Sequence, residues 1–185
     1  MADQVEHSGG RGWSLWRLAG WSIPVVLLML PAVAMQFTSE VDWSAADFLV
    51  AAMLFGIVGL AFELIVRTSD SPAYRFGAGL AVISAFLTIW VNGAVGMIGS
   101  ENNPYNLLFG GVLLIALSGS VLARFRPAGM ARVMAVAAIA QVVIGAVGAT
   151  IEPHGAVFSV GFGGLWLLSA ALFWSSAQER RAQSG

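Results

Sequence analysis

The residues of this chain that could do chemistry are mostly acidic and amide side chains in the short polar segments between its apolar stretches. Eight of them share this setting: Glu40, Asp42, Asp47, Glu101, Asn102, Asn103, Glu152 and His154. Their oxygen atoms suit hard cations, and the imidazole would extend the choice to zinc or manganese. A cation site in these segments is therefore one hypothesis, with the metal left open, and we expect no organic cofactor.

The same residues also have a purely structural explanation. Ser44 and Asp47 have the spacing of a capping box, which would begin a helix. Asn103 and Glu152 each precede a proline, and proline is favoured at the first position of a helix. No two of the eight residues have a spacing that is diagnostic of metal ligation, so capping and solvation explain them without a bound ion.

A second group of four polar or amphipathic side chains lies inside apolar stretches: Glu63, Trp90, Asn92 and Gln141. Such groups need partners in hydrocarbon. Asn92 and Gln141 occur at similar distances from one end of their stretches, so we expect them to meet, with Trp90, in one polar cluster. The cluster would either hold helices together or bind a substrate or ion, and we favour the first. Replacing Asn92 or Gln141 with leucine would then lower stability or assembly.

Other small and polar residues recur every four positions around Asn92, at Ser84, Thr88, Gly96 and Ser100. This spacing places them near one face of a helix, and we expect that face to turn toward other helices. Glu63 lies four residues before Arg67, which predicts an ion pair on one helix face. A proton-relay function for Glu63 would instead require it to face a cavity.

The composition excludes several kinds of chemistry. The chain has no cysteine, which excludes disulfides, thiolate metal ligands and cysteine nucleophiles. Its two histidines are too few for a histidine-rich metal or haem site. The net charge of −1 provides no attraction for nucleic acid, so we expect no nucleic-acid partner.

Apolar helices must position these residues. Hydrophobic residues make up 58% of the 185 and charged residues only 10%, compared with about 25% in ordinary soluble domains. Crossing the hydrocarbon core takes about 20 apolar residues. Six stretches qualify: 18–37, 48–66, 76–99, 106–123, 130–150 and 155–174. Because backbone amides in lipid must be paired within each segment, the sequence predicts an all-α polytopic membrane bundle of six transmembrane helices.

The basic residues predict the orientation. All of them are arginine, and six spans place every one on the same side: Arg11, Arg17, Arg67, Arg75, Arg124, Arg126, Arg132, Arg180 and Arg181. The positive-inside rule makes that side cytoplasmic, which predicts an N-in/C-in topology. Residues 1–12 and 178–185 are then cytoplasmic tails, and residues 13–177 form the bundle. The first span also resembles a signal peptide, with small residues at Ala32–Ala34, although we favour a retained helix.

The least generic segment runs from Trp90 to Pro104 and joins the intramembrane polar row to a polar turn. It resembles segments of small six-helix bacterial inner-membrane proteins, and this resemblance implies a fold and a location but no activity. The absence of lysine and the abundance of alanine, glycine and valine also favour a bacterial chain. We therefore expect the bacterial inner (cytoplasmic) membrane.

Three functions are compatible with these observations. We expect a non-catalytic structural, assembly or accessory subunit, whose partners are the lipid bilayer and either another membrane protein or a second copy of this chain. The alternative is a transporter or channel for an ion or small solute, working as an oligomer. A membrane enzyme with an external metal site comes third, because no nucleophile, base or ligand set has a diagnostic spacing.

Overall fold

The structure, a computed structural model, describes residues 15–184, with side chains from residue 21 onward except at positions 68 and 184. Over that range the chain is entirely helical and contains no strand, which confirms the all-α prediction. Its six α-helices are α1 (Leu15–Ala34), α2 (Ala45–Thr68), α3 (Pro72–Ala94), α4 (Leu107–Leu122), α5 (Pro127–Gly148) and α6 (Pro153–Ser184). The predicted tail at residues 1–12 lies outside the described residues.

Five helices, α2 to α6, are long and apolar enough to cross a membrane, with mean hydropathies from 1.6 to 2.5. The span of α4 includes the single 3-10 turn that precedes it, Pro104–Asn106. In α1 the described side chains form a shorter apolar stretch, Trp21–Ala34. These lengths and compositions make the chain a helical, multi-pass membrane protein.

The described residues up to Gly59 and those from Leu60 onward form two compact units, and the boundary falls inside α2. In the first unit the ring of Trp21 lies against Gly59, where an added Cβ would come within 3.0 Å of it. The predicted capping box at the start of α2 is confirmed. Ser44 N–H donates to Asp47 Oδ2 over 2.7 Å, and Asp47 N–H donates to Ser44 Oγ over 3.3 Å.

In the second unit, α6 packs against both α3 and α5, and α4 packs against α5. The core of this unit joins side chains from all four helices, among them Tyr74, Val112, Met134, Trp166 and Phe173. Lipid tails are as apolar as these side chains, so the hydrophobic effect contributes little between the helices, and close packing and interhelical hydrogen bonds hold them together.

A glycine lets α5 and α6 approach each other closely. A Cβ at Gly145 of α5 would collide with the side chain of Ser159 on α6. Further along, a Cβ at Gly163 of α6 would come within 2.5 Å of Val142 and within 3.5 Å of the carbonyl oxygen of Ala138 on α5. The paired positions run in opposite directions along the two helices, so α5 and α6 are antiparallel.

Prolines begin four helical segments, and the sequence predicted the starts at Pro104 and Pro153. The start of α5 at Pro127 was not predicted. α3 begins at Pro72 after Ser71, whose hydroxyl accepts a hydrogen bond from Tyr74 N–H. The 3-10 turn begins at Pro104 and α6 begins at Pro153. At these positions the missing N–H of proline removes no helical hydrogen bond.

The predicted end of the third span is wrong, because α3 ends at Ala94 and not at residue 99. Gly96 has a φ of 76°, in the left-handed region that glycine adopts readily, and a Cβ there would collide with the backbone of Ser100. The chain therefore turns back while its residues are still apolar. Gly96 and Ser100 consequently do not extend the helical row around Asn92.

Substitution of Gly145 by alanine tests the close approach of α5 and α6. The added methyl group meets Ser159, so we expect overpacking to lower the free energy of unfolding by about 1–3 kcal/mol. The matched control is Gly164→Ala on α6, where a Cβ meets nothing within 4 Å. Thermal unfolding in nanodiscs checks the difference, and equal melting temperatures for the two variants would contradict the packing described here.

Candidate functional site

The segment Val95–Asn103, which we call the α3–α4 loop, folds back into the second unit. Met97 and Ile98 at its tip are 1% and 0% exposed. A Cβ at Gly148 at the end of α5 would come within 2.6 Å of Ile98. One at Gly155 at the start of α6 would collide with both Ile98 and the carbonyl oxygen of Met97. The loop therefore closes this end of the α5–α6 pair with apolar side chains.

Two asparagines pair the buried backbone of the α3–α4 loop. Ile98 N–H donates to Asn106 Oδ1 over 2.9 Å, and Asn106 Nδ2 donates to the carbonyl of Ser100 over 2.8 Å. Asn103 Nδ2 donates to the carbonyl of Ile98 over 2.9 Å. Irregular backbone near membrane depth is tolerated only where the protein pairs its polar groups, and these amides do so. The sequence analysis missed Asn106, because this residue belongs to no recognisable motif.

The structure brings the predicted polar residues of the second unit to the end that this loop closes. Glu101 and Asn102 are exposed, and Asn102 Nδ2 donates to Glu101 Oε1 over 2.9 Å. Glu152 and His154 lie immediately before Gly155, which contacts the tip of the loop. The contact of the loop tip with Gly155 accounts for the proximity of these two segments.

The other three predicted residues, Glu40, Asp42 and Asp47, belong to the first unit. The carboxylate of Asp47 serves the helix cap of α2. Among the residues that the structure describes, no group of three histidine, aspartate or glutamate side chains could hold a metal ion. The cation-site hypothesis therefore finds no support in the geometry.

Glu152 and His154 form a local hydrogen-bonded pair at the start of α6. His154 Nδ1 lies 2.7 Å from Glu152 Oε1, and the backbone N–H of His154 donates to the same oxygen over 3.2 Å. The side-chain hydrogen bond, followed by the backbone one, lowers the pKa of Glu152 below its ordinary value of 4.5. A carboxylate at a helix N-terminus is also favoured by the helix dipole, so this pair is explained by capping.

The polar row on α3 is satisfied largely within its own helix. Ser84, Thr88 and Asn92 each donate to the carbonyl four residues earlier, over 2.7, 2.8 and 2.7 Å. Trp90 stacks on Phe86 with ring centroids 5.6 Å apart. Such back-bonding removes the need for an interhelical partner, although the buried Oδ1 of Asn92 has none.

The polar cluster that the sequence predicts for Trp90, Asn92 and Gln141 contains no hydrogen bond between the two amides. Neither amide atom of Gln141 has a hydrogen-bond partner, and α3 packs chiefly against α6, not against α5. The predicted ion pair of Glu63 with Arg67 is confirmed, with Arg67 Nε donating to Glu63 Oε1 over 2.8 Å. Glu63 is therefore held by its own helix.

Three deeply buried side chains on α5 and α6 have polar atoms without partners, and we call them the buried polar row. They are Gln141, with both amide atoms unpaired, Ser159, with its Oγ unpaired, and Trp166, with its Nε1 unpaired. Their exposed fractions are 0%, 0% and 1%. The great majority of buried polar groups in proteins have a partner, so this row is an exception that calls for a chemical explanation.

The helix register places these three side chains at successive levels of one interface. Gln141 is one turn from Gly145, and Gly145 lies against Ser159. On α6, Gly163 and Trp166 follow Ser159 on the same buried face. Because α5 and α6 are antiparallel, Gln141 falls between the levels of Ser159 and Trp166.

The α3–α4 loop covers the end of the buried polar row at which Ser159 lies. Ile98 contacts Gly148, which is about one turn beyond Gly145 on α5. The arrangement thus combines uncharged donors and acceptors within the membrane-spanning region and an apolar closure above them. None of the three residues carries a charge, and none of the polar atoms named above has a hydrogen-bond partner among the described residues.

No family model matches this sequence, and no curated protein and no solved structure shows detectable similarity to it. A helical membrane fold by itself specifies no activity, because one fold serves many functions. The function must therefore be inferred from the residues and their geometry.

Substitution of Asn106 by alanine tests the pairing of the loop backbone. The change leaves the buried N–H of Ile98 without an acceptor, so we expect a loss of roughly 1–3 kcal/mol in the free energy of unfolding. It should also accelerate hydrogen exchange at the amide of Ile98, measured by mass spectrometry. The matched control is Asn102→Ala, which removes an exposed amide, and equal exchange in both variants would show that Asn106 does not hold the loop.

Proposed function

We propose that this chain is a membrane protein that binds a small uncharged polar solute between α5 and α6. The observation that carries the proposal is the side-chain amide of Gln141, which is fully buried with both its nitrogen and its oxygen unpaired. Leaving such a group unpaired costs about 1–3 kcal/mol. A bound molecule that hydrogen-bonds to the amide would recover that free energy.

The chemistry of the buried polar row favours a neutral ligand. Gln141 offers two donors and one acceptor, the Ser159 hydroxyl offers both, and the indole of Trp166 offers one donor. None of these groups is charged, and burial of an ion without an opposite charge is strongly unfavourable. Gly145 and Gly163 are packed closely against the opposite helix, which favours a ligand of few atoms.

Native mass spectrometry of the full chain, gently extracted from its own membrane, tests the proposal. We expect a retained small uncharged molecule on the wild-type protein and its loss from Gln141→Leu. The matched control is Gln36→Leu, which replaces an exposed glutamine of the first unit and should keep the molecule. A wild-type protein without any retained molecule would overturn the proposal.

Stability gives a second readout of the same variant. In protein stripped of the retained molecule, Gln141→Leu removes an unpaired buried amide, so we expect thermal unfolding at the same or a higher temperature. A lower melting temperature would mean that the amide is paired within the protein, as the sequence analysis expected.

A non-catalytic structural, assembly or accessory subunit is the second candidate. It is favoured by Gly161 and Gly164 on α6, which are exposed and where a Cβ would meet nothing within 4 Å. Small residues on an open face let another membrane helix approach closely. In the mass-spectrometry experiment, a stoichiometric protein partner in place of a retained molecule would favour this function.

We further propose that the chain crosses a bacterial inner membrane six times, with both termini in the cytoplasm. The distribution of the arginines supports this orientation, since Arg67, Arg75 and Arg124 follow or precede spans at one end while Glu101 and Glu152 lie at the other.

Reporter fusions test the topology. A reporter that is active only in the periplasm should be active when fused after Glu101 and silent when fused after Arg126. The reverse pattern would invert the orientation. Activity at both positions would show that the number of spans between them is even.

A further inference from the structure

The turn between α4 and α5 has an unusual backbone. α4 ends with Phe125 N–H donating to the carbonyl of Ser120 over 3.1 Å and Arg124 N–H donating to the carbonyl of Val121 over 2.9 Å. These two bonds define a Schellman motif, in which the position of Arg124 is usually occupied by glycine. Here Arg124 and Phe125 have φ angles of 50° and 55°.

Two consecutive residues with side chains in the left-handed region are strained, because their Cβ atoms crowd the backbone. The conformation is held by the surrounding structure. The hydroxyl of Tyr74 on α3 donates to the carbonyl of Phe125 over 2.8 Å. Backbone strain that is kept in place in this way is a reason to ask what the strained side chains do.

The side chains of this turn are cationic and apolar, and they are exposed. Arg124 and Arg126 are both exposed, Phe125 is 55% exposed, and Leu122 just before the turn is 83% exposed. Glu179 of α6 accepts a hydrogen bond from Ser71, three residues before Tyr74, so the neighbouring Arg180 lies near the same corner. We call Arg124, Phe125, Arg126 and Arg180 the basic corner.

Within the part of the chain that the structure describes, the arginines of the basic corner have no acidic partners. Between residues 15 and 184, no ion pair involves Arg124, Arg126 or Arg180. The nearest carboxylate along α6, that of Glu179, accepts a hydrogen bond of 3.2 Å from Ser71 instead. Guanidinium groups bind phosphate oxygens through a fixed fork of N–H donors, so a group of exposed arginines at one corner suits a phosphate ligand.

We propose that the basic corner binds the headgroup of an acidic phospholipid, with Phe125 and Leu122 in contact with its acyl chains. The corner lies at the ends of membrane-spanning helices, where lipid headgroups are found, and basic clusters at this depth attract anionic lipids. The exposed apolar side chains favour a lipid over free phosphate, because free phosphate has no apolar part for them to contact. This inference is independent of the solute site and of the topology.

The experiment compares the full chain in nanodiscs of phosphatidylcholine alone and of phosphatidylcholine mixed with phosphatidylglycerol. We expect phosphatidylglycerol to raise the melting temperature of the wild-type protein by several degrees and to remain bound in native mass spectrometry. Arg124→Gly with Arg126→Gln should lose most of that rise and the bound lipid. In phosphatidylcholine alone this variant should be at least as stable as the wild-type protein, because glycine relieves the strain and Arg126 makes no side-chain cap hydrogen bond.

Arg132→Gln is the matched control, since it removes one exposed arginine of α5 away from the turn and should keep the full rise. If Arg126→Gln alone and Arg132→Gln lost equal parts of the rise in melting temperature, the proposal would be overturned in favour of a general charge effect. A wild-type protein with the same melting temperature in both nanodiscs would also overturn it. A third arm adds inorganic phosphate to the phosphatidylcholine nanodiscs, and a rise there as large as with phosphatidylglycerol would assign the corner to free phosphate.

Discussion

Hydrocarbon offers no hydrogen bonds, and this constraint governs the rest of the structure, because each polar group at membrane depth needs a partner within the protein. The helices satisfy it for their backbone. On α3, Ser84, Thr88 and Asn92 satisfy their donors with carbonyls of their own helix. The α3–α4 loop has no regular backbone pairing, and the amides of Asn103 and Asn106 supply it. Those amides allow an irregular segment to fill the end of the α5–α6 pair.

At this end of the second unit, the close packing of α5 and α6 and the hydrogen bonding of the α3–α4 loop depend on each other. Gly148 and Gly155 leave the space that Ile98 occupies, and a side chain at either position would displace the loop. The loop in turn covers these backbone surfaces. One turn deeper, the contact of Gly145 with Ser159 brings the α5 and α6 backbones close together. The buried polar row is enclosed by this combination of close approach and apolar closure.

Two departures from local structural rules stand out among the described residues. The amide of Gln141 is buried without a partner, and Arg124 and Phe125 hold a backbone conformation that glycine adopts more easily. Both departures are unfavourable for folding, and proteins tolerate such departures mainly at functional sites. The acidic segments that first looked suited to chemistry follow simple rules instead. Asp47 and Glu152 act as helix caps, and this explains their positions without a ligand.

Local properties of the sequence were enough to determine the helices, because length, hydropathy and capping residues act within a few positions. The proline starts, the capping box of α2 and the pairing of Glu63 with Arg67 are all of this kind. The end of α3 was not predictable, since the residues after Ala94 remain apolar and the turn depends on the left-handed backbone of Gly96. Which helices pack together was not predictable either. Asn92 and Gln141 occur at similar distances from the ends of their stretches, but similar depth does not make two side chains face each other. The tertiary structure alone decided that α6 lies between the polar row of α3 and the unpaired amide of Gln141. The physical reason is that each helix turns its small residues toward a particular neighbour.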